Sequence, residues 1–533
     1  MGAAGPLIAR WSAGARGRCR VAVGFLVAAL LLMIGLTYRR YGISFDEPLQ
    51  QTYGAGVLRY FLTGGKDRAD ALAFSNLYLY GGLYETAAAA WVKLLPGLDL
   101  YDARHILNAL VGVLGIVGAF ALGSRCGGPR AGWWSALLLA FTPTWLGHIF
   151  FNSKDIPFAV GYLWSLAAIV RAHREYPRQR LSTALLVGLA LGCTMGVRVG
   201  GLILWGLLGL SLAFWFLRCW FGHPGRRRAT LGALPRLAAL TLASLCVSYA
   251  VMLVAWPWGQ IAPLTRPLQA LTKFSKFYGK PAPMGDLLGY LASYSSKLPE
   301  LIWLLVAAGV VSGATLFVGR PRRRLTARTG QLAILAAAAL VPVAYLVLKR
   351  GTIYNEVRHL MFVQAMLVVI AGCAAADLLR RLGCRPFARA GLVFLLATAI
   401  ISLGVTMAQL FPYQYVYYNA SSGGLRGAER RGLDLDYWAT SYREAAAWVA
   451  QEALREGATP EQPAAVQAIK PEECASHYYP PWLRASREGA AFTISNVDRH
   501  RGLPTSVPGE TIHRIERDGV TLGVVKRAAA QDP

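Results

Sequence analysis

Charged residues are scarce in this sequence. Asp, Glu, Lys and Arg make up 16% of its 533 residues, whereas hydrophobic residues make up 55%. A soluble domain usually carries about 25% charged residues. The apolar residues come instead in repeated blocks, each long enough to cross about 30 Å of hydrocarbon as a helix. Because a helix satisfies its own backbone in lipid, this composition excludes an ordinary soluble protein and predicts a polytopic helical membrane protein.

Metal-binding and disulfide motifs are also absent. The eight cysteines form no CxxC pair, and no HExxH motif occurs. The sequence therefore shows no metal cage of the usual spacing. On the topology predicted below, Cys474 alone lies clearly outside the membrane on the extracytoplasmic side, and a single cysteine excludes an intramolecular disulfide there.

Acidic residues are about half as frequent as basic ones, 28 against 55, which gives a net charge of +27. Such an excess can indicate nucleic-acid binding. The arginines cluster, however, in segments that an odd number of spans places on one side, as the positive-inside rule requires for the cytoplasm. These clusters are Arg10–Arg20, Arg171–Arg180, Arg226–Arg228, Arg320–Arg324 and Arg380–Arg389. We therefore expect a cytoplasmic N-terminus and contact with membrane lipids, and no nucleic-acid partner.

Eleven apolar blocks are predicted to span the membrane. They are residues 21–37, 105–122, 131–149, 157–171, 181–197, 199–217, 237–256, 300–318, 330–348, 360–377 and 391–410. The segment that follows the first block, residues 38–41, holds two arginines and no small-residue cleavage site, so we expect a retained anchor.

The chain is predicted to divide into two parts. Residues 1–410 hold the spans and a long first outer loop, 38–104, where apolar periodicity over 49–61 and 83–95 predicts amphipathic interfacial helices. Residues 411–533 contain no span and are expected to form a small extracytoplasmic α/β domain. In it, Ser441 and Glu444 have the spacing of a capping box that begins a helix, and apolar runs at 464–469, 491–495 and 519–525 indicate strands.

Two acidic motifs at the predicted outer face are candidates for chemistry. Asp46 and Glu47 follow the first span, and Asp155 follows Lys154 before the fourth. Carboxylates beside lipid are costly unless they are solvated, paired or functional. The alternative is structural, because each motif precedes a proline at a helix start, where an acid can serve as the N-cap and Lys154 can extend to the interface.

Several basic residues share this side of the membrane. Arg104 opens the second span, Arg198 separates the fifth from the sixth, and Arg358 and His359 open the tenth. Each of them alone fits an interfacial anchor. Together with the carboxylates, they suit an anionic lipid-phosphate substrate that reacts beside a carboxylate.

The ordered set of these motifs resembles a known family. The acidic pair after the first span, the segment 154–158 before the fourth and Arg358-His359 at a late span are similar to bacterial glycosyltransferase family 39. This family is of the dolichyl-phosphate-mannose protein mannosyltransferase type and has the GT-C fold; the lipid A aminoarabinose transferase is a relative. The resemblance covers about residues 20–410. It implies an all-α, GT-C-like membrane catalytic domain at 1–410, with the α/β domain at 411–533 attached.

The resemblance also implies an activity. The donor would be a polyprenyl-phosphate-linked sugar, and the acceptor a hydroxyl of an envelope glycan, lipid or protein. Transfer would invert the anomeric centre, on the outer face of a bacterial inner membrane. Asp46 is expected to act as the general base and Glu47 to orient it.

The remaining site residues are expected to handle the phosphate and the acceptor. Lys154, Arg104, Arg358 and His359 are expected to bind the lipid phosphate, with Arg358 foremost because a guanidinium can grip phosphate through two hydrogen bonds. Asp155 is expected to hold an acceptor hydroxyl or to position a cation. The resemblance leaves a requirement for a divalent cation open.

Two other classes of protein compete with a transferase. A polytopic transporter would place charges near the bilayer midplane on broken helices, often in repeated halves. Here the paired acids lie in outer loops, and no repeat is apparent. A non-catalytic subunit of an envelope polysaccharide assembly system would use the same acids only as helix caps.

Overall fold

The computed structural model describes residues 4–222, 225, 227–277, 283–315, 326–350, 356–469, 471–497 and 508–527. Arg226 and the arginine cluster at 320–324 lie outside these residues. The helices up to residue 409 are α1 (Ala4–Thr37), α2 (Glu47–Leu62), α3 (Ala69–Ala73), α4 (Leu83–Leu94), α5 (Leu100–Gly127), α6 (Pro129–Ala140), α7 (Pro143–His148), α8 (Asp155–Glu175), α9 (Leu181–Val197), α10 (Ile203–Gly222), α11 (Arg227–Val254), α12 (Pro257–Ile261), α13 (Arg266–Phe277), α14 (Met284–Ser296), α15 (Glu300–Thr315), α16 (Ala327–Lys349), α17 (Met361–Arg381) and α18 (Pro386–Gln409).

The predicted polytopic helical fold is confirmed, but the number of long spans differs from the prediction. Among the described residues, eight helices are long and apolar enough to cross a membrane, or nine if α14 and α15, which meet at 102°, count as one span. The other two predicted spans fall on shorter helices. The block at 131–149 is broken between α6, of 12 residues, and α7, and the block at 181–197 is α9, of 17 residues. At about 1.5 Å per residue, neither α6 nor α9 alone reaches 30 Å.

The centre of the membrane bundle is α8. In its most apolar window 83% of the residues are buried inside the protein, whereas the corresponding share for α1 is 17%. Small residues let the neighbouring helices approach closely. A Cβ on Gly115 of α5 would lie 2.6 Å from the ring of Trp145, and a Cβ on Gly372 of α17 would lie 2.4 Å from Ser135 of α6. The same Cβ on Gly115 would lie 2.8 Å from Val160 of α8, so α5 packs tightly against both α7 and α8.

The first outer loop contains the two predicted amphipathic helices. Their observed bounds, those of α2 and α4, match the predicted segments closely. The two helices pack against each other at Gly54, where a Cβ would lie 2.4 Å from the Glu85 carbonyl oxygen. This loop therefore forms a compact cover over one end of the bundle.

The described residues of the C-terminal region form three further α-helices and a five-stranded sheet. These elements are α19 (Gly424–Arg431), α20 (Tyr442–Arg455), α21 (Glu473–Ser476), β1 (Ala464–Ala468), β2 (Leu483–Ala485), β3 (Phe492–Asn496), β4 (Glu510–Arg517) and β5 (Val520–Arg527). The strand order is β2-β1-β3-β5-β4, with β1 parallel to β2 and β3 and with β5 antiparallel to β3 and β4. The three predicted strands correspond to β1, β3 and β5, and the prediction missed β2 and β4.

The predicted capping box at the start of α20 is wrong, although the helix is present. The Ser441 side chain makes no capping hydrogen bond. Instead, the Ser441 N–H donates to Asp436 Oδ2 at 3.1 Å. The Glu444 carboxylate accepts from the Tyr413 hydroxyl and from Arg517, both at 2.8 Å. Both residues are therefore used to attach α20 to the segment after the last span.

Cysteine labelling can test the topology, but not at Cys474, which is fully buried. We expect Glu461→Cys, at an exposed position before β1, to react with an impermeant maleimide in intact cells whose outer membrane is permeable. The exposed native Cys384, between α17 and α18, should react only after the inner membrane is opened. Each cysteine is tested in a chain that lacks the others, and the reverse pattern would overturn the predicted orientation.

Candidate active site

Asp46 lies at the start of α2 but does not cap it. Its side chain makes no capping hydrogen bond. Its Oδ2 instead accepts from Arg358 Nη2 at 2.6 Å, and Lys154 Nζ lies 3.8 Å from the same oxygen. The N-cap interpretation of Asp46 is therefore wrong, and its carboxylate is held by two cations from distant segments.

Asp155 is the first residue of α8 and likewise caps nothing. It is 2% exposed. Its Oδ1 lies 2.6 Å from Arg198 Nη2, and its Oδ2 lies 3.4 Å from Arg358 Nε and accepts from Asn152 Nδ2 at 3.0 Å. Arg358 thus bridges Asp46 and Asp155, and the cap interpretation of Asp155 is also wrong.

Lys154 and Arg198 both lie close to one aromatic ring from the outer loop, that of Tyr80. Lys154 Nζ is 5.0 Å from the Tyr80 ring centroid, and the Arg198 guanidinium carbon is 5.7 Å from it. With the Gln50 amide oriented so that its oxygen faces the lysine, Gln50 accepts from Lys154 Nζ and donates to Glu85 Oε1 at 3.1 Å. The cations are thereby fixed against the cover formed by the first outer loop.

Glu47 turns away from these cations into the protein. It is 1% exposed. Its Oε2 accepts from the Ser44 N–H at 2.8 Å, and its Oε1 lies 3.2 Å from His105 Nε2 of α5. Glu47 therefore fixes the turn that carries Asp46. The sequence analysis did not single out His105, although it is adjacent to Arg104 and lies on the same helix.

Arg104 does not contact the Asp46 group. Its guanidinium donates to Glu85 Oε2 at 2.7 Å and to Gln51 Oε1 at 2.9 Å, and its side chain is 3% exposed. The connection to Asp46 is indirect and runs through Glu85, Gln50 and Lys154. The structure thus brings together Lys154, Arg358 and both aspartates, with Arg198 added, and it places Arg104 behind them.

A cavity of about 140 Å³ opens beside Asp46. Lys154, Arg198, Arg358 and His359 line its basic side, with Phe45 and Tyr80 among its aromatic residues. Because the wall combines two arginines and a lysine with one carboxylate, it is suited to an anionic group that reacts next to a base.

Asp46 and Lys154 each shift the pKa of the other. Burial by itself would raise the pKa of Asp46, but Lys154 and Arg358 together hold that pKa below its usual value. Burial also lowers the pKa of Lys154, and the attraction of Asp46 opposes this change. Asp46 is therefore ionised at neutral pH and available to accept a proton.

The segment after the last span packs against two residues that line the cavity, Phe45 and Arg358. The Trp438 carbonyl accepts from the Phe45 N–H at 3.1 Å, and the rings of these two residues stack with centroids 4.9 Å apart. The Arg358 guanidinium carbon lies 4.4 Å from the Trp438 ring centroid. Trp438 therefore contacts both the residue before Asp46 and the arginine that holds Asp46. The sequence analysis did not assign it a role.

Asp436 anchors the loop that carries Trp438. Its Oδ1 accepts from the Thr440 N–H and its Oδ2 from the Ser441 N–H, both at 3.1 Å, and the Tyr415 hydroxyl donates to Oδ1 as well. Burial raises the pKa of Asp436 to about 6, against the effect of these hydrogen bonds. The network is fully buried, which gives the loop a single conformation.

A divalent cation, which the sequence analysis left open, has no evident ligand group in the part of the chain that the structure describes. No set of three or more His, Cys, Asp or Glu residues lies close enough together to hold a metal ion there. The two aspartates of the site are instead surrounded by Lys154, Arg198 and Arg358.

One family of known proteins matches part of this chain. Residues 99–256 match the family model described as dolichyl-phosphate-mannose-protein mannosyltransferase. The matched segment includes Lys154, Asp155 and Arg198. The match covers less than a third of the chain and extends over the helices from α5 to α11. Over these residues the chain is similar to the dolichyl-phosphate-mannose-protein mannosyltransferase family, which confirms the resemblance predicted from the sequence.

Several solved structures are similar at low identity. ArnT from Cupriavidus metallidurans, bound to undecaprenyl phosphate, is 15% identical over 95% of this chain and 98% of its own, with a TM-score of 0.47. The oligosaccharyltransferase AglB from Archaeoglobus fulgidus, in complex with an inhibitory peptide and a dolichol-phosphate, is 12% identical over 89% of this chain and 70% of its own, with a TM-score of 0.49. The arabinosyltransferase EmbB from Mycobacterium smegmatis is 17% identical over 67% of this chain and 30% of its own, with a TM-score of 0.41. Among curated proteins, none matches the sequence.

Proposed function

We propose that the protein transfers a sugar from a polyprenyl-phosphate carrier to a hydroxyl of an envelope glycan, lipid or protein. The reaction takes place on the extracytoplasmic face of a bacterial inner membrane, with inversion and with Asp46 as the general base. One observation carries the proposal: Arg358 bridges Asp46 and Asp155 beside Lys154, at the outer ends of membrane helices and next to a cavity. The family description, which names a dolichyl-phosphate sugar, supports the kind of donor.

The basic wall is proposed to bind the donor phosphate. The leaving lipid phosphate is a stable anion, so it requires neutralisation more than a general acid. Arg358 is suited to this because a guanidinium can donate two parallel hydrogen bonds to phosphate. Lys154 adds a point charge, and Arg198, with His359 beside it, completes the wall.

The reaction is proposed as one displacement. The acceptor oxygen attacks the anomeric carbon as its proton moves to an Asp46 oxygen, and the bond from that carbon to the phosphate oxygen breaks with both electrons going to the phosphate. When donor phosphate engages Arg358 and Lys154, their hold on Asp46 weakens, while burial continues to raise its pKa. The proton affinity of Asp46 therefore increases when the donor is bound, at the stage when a base is needed.

The remaining candidates receive positioning roles. Both Asp155 oxygens are engaged by arginines, so we propose that Asp155 holds Arg358 and Arg198 in place rather than holding the acceptor. Glu47 fixes the turn that carries Asp46 through Ser44 and His105. Arg104 supports the wall from behind through Glu85.

The direct test is sugar transfer by the purified protein from polyprenyl-phosphate sugars, combined with mass spectrometry of envelope glycans from a strain that lacks the chain. A missing sugar in that strain together with release of polyprenyl phosphate in vitro would support the proposal. A missing sugar without any donor consumption by the purified protein would favour the non-catalytic subunit. Uptake of solute without transfer would favour a transporter.

Trp438 is expected to position Arg358. Trp438→Ala removes the ring that lies 4.4 Å from the guanidinium, and a cation–π contact contributes about 0.5–2 kcal/mol, so we expect transfer to slow by about twofold to thirtyfold. Trp438→Phe, which keeps an aromatic face, should recover most of the rate. The loss should lie mainly in the donor KM. Trp448→Ala is the control, because Trp448 lies in the same region but stacks on His513; an equal loss there would contradict the positioning role.

A further inference from the structure

A second cavity lies at the opposite end of the bundle from Asp46. Its volume is about 1250 Å³. Asp155 begins α8, whereas Arg174, which lines this cavity, lies near the C-terminal end of the same helix. At 1.5 Å per residue, their separation of 19 positions along the helix corresponds to about 28 Å, roughly the thickness of the hydrocarbon. The two cavities therefore open at opposite faces of the membrane, and they share no lining residue.

The wall of this cavity is strongly basic. Seven arginines, contributed by six helices, and a single acid, Asp377, line it. Asp377 is shared by three arginines, since it contacts Arg380, lies 2.8 Å from Arg381 and lies 3.5 Å from Arg328. It therefore cannot neutralise the arginines on the other side of the cavity.

Two of the other arginines donate to backbone carbonyl groups. Arg125 Nη1 donates to the Ala121 carbonyl at 3.0 Å, and Arg174 Nη1 donates to the Arg125 carbonyl at 3.3 Å. These hydrogen bonds orient the guanidinium groups but do not cancel their charge. The wall thus carries a large positive excess, and hydrogen bonds orient two of its guanidinium groups.

Part of the same wall is apolar and belongs to membrane-spanning helices. Phe120 and Ala121 of α5 and Cys373 and Ala376 of α17 line it together with the arginines. The volume is much larger than a free phosphate requires. An anionic group attached to an apolar chain would contact both kinds of surface.

We propose that this cavity binds the phosphate headgroup of an anionic phospholipid from the leaflet at this end of the bundle, the cytoplasmic leaflet on the predicted topology. Basic pockets between membrane helices on that side suit such headgroups. The positive-inside rule explains an excess of arginine in the loops, but it does not require the arginines of six helices to surround one cavity. The site goes beyond the proposed transfer reaction, because none of its residues takes part in it.

The test compares two double variants that remove the same charge from the same face. Arg20→Gln with Arg130→Gln removes two exposed arginines from the cavity. Arg385→Gln with Arg389→Gln removes two exposed arginines at the start of α18, outside the cavity. Native mass spectrometry of the delipidated full-length protein, titrated with dioleoylphosphatidylglycerol or dioleoylphosphatidylcholine, measures binding to the folded chain.

We expect the wild-type protein to bind phosphatidylglycerol in clear preference to phosphatidylcholine. At about 1 kcal/mol per arginine near an anionic lipid surface, the cavity variant should bind phosphatidylglycerol about tenfold or more weakly, and the α18 variant should bind it as the wild type does. Equal losses in the two variants would show that the charge of the face acts diffusely and would overturn the proposal. Equal binding of the two lipids would overturn it as well. Full displacement of the lipid by millimolar inorganic phosphate would assign the cavity to free phosphate instead.

Discussion

Replacing Asp46 by Asn is expected to reduce sugar transfer by at least about a hundredfold, the usual scale of general-base catalysis, while donor binding is retained. Asn is nearly the same size as Asp, and its amide oxygen can still accept from Arg358, but it cannot take a proton from the acceptor at neutral pH. The change also removes one negative charge from the wall that is proposed to bind phosphate. Donor affinity should therefore stay equal or increase.

The measurement is single-turnover transfer by purified protein, with donor binding determined separately. Asp46→Glu should keep a trace of activity, limited by the misplaced carboxylate, and Glu47→Gln should have a smaller effect. Asp70→Asn is the matched control, because Asp70 lies in the same outer loop and pairs with the half-exposed Arg59. Normal turnover in Asp46→Asn would assign the base to another residue, and lost donor binding would make Asp46 a structural residue.

The pH dependence of the wild-type enzyme offers an independent check on this base. The pKa of Asp46 is lowered in the free protein, so kcat/KM should fall only below the usual carboxylate range. If the donor phosphate draws Arg358 and Lys154 away from Asp46, as proposed, the acid limb of kcat should lie at higher pH than the acid limb of kcat/KM. In Asp46→Asn, the pH profiles of the residual kcat and kcat/KM should both lack the acid limb.

The parts of the fold that depend on local pattern were predicted well. Apolar blocks gave the membrane helices, and periodicity gave α2, α4 and three strands. The break within residues 131–149 was missed, because this block contains no Asp, Glu, Lys or Arg, although the helix ends at Ala140 and restarts at Pro143. The hairpin from β4 to β5 was missed, although the sequence contains an Asp-Gly pair, Asp518-Gly519, which is a typical hairpin signal. In the structure both residues have positive φ, as this turn requires.

The candidate site shows where sequence reasoning reaches its limit. A cap and a catalytic carboxylate look alike at a helix start, and only the tertiary partners distinguish them. For Asp46 the decisive partner is Arg358, 312 residues away in the chain. Arg104 was expected in the site but lies behind it, because its guanidinium pairs with Glu85, on a helix of the outer loop. Trp438 could not be assigned because nothing local indicates that the last part of the chain returns to the first outer loop.

Arg358 is the other residue whose substitution is expected to reduce donor binding and sugar transfer strongly. Arg358→Lys keeps a positive charge but loses the planar group that reaches Asp46 at 2.6 Å and Asp155 at 3.4 Å at the same time. If this group also binds the donor phosphate, its loss removes hydrogen bonds to a charged group that contribute about 1.5–3 kcal/mol, so donor affinity should fall by about tenfold to a hundredfold. Transfer should fall further still, because Asp46 is no longer held beside the phosphate.

The effect of Arg358→Lys on stability should be smaller than for most broken buried ion pairs, which cost about 3–5 kcal/mol. Asp155 keeps Arg198 at 2.6 Å, and Asp46 keeps Lys154 at 3.8 Å, so neither carboxylate is left without a cation. Arg39→Lys is the control, because Arg39 is an exposed arginine on the same side that pairs with Asp102 at 3.8 Å. Donor affinity and transfer are measured in both variants and in Arg358→Lys combined with Asp46→Asn. If Arg358 acts on the phosphate, the double variant should bind donor more weakly than Asp46→Asn alone. Unchanged donor affinity in Arg358→Lys would restrict Arg358 to holding Asp46 and would place the phosphate against Lys154 and Arg198.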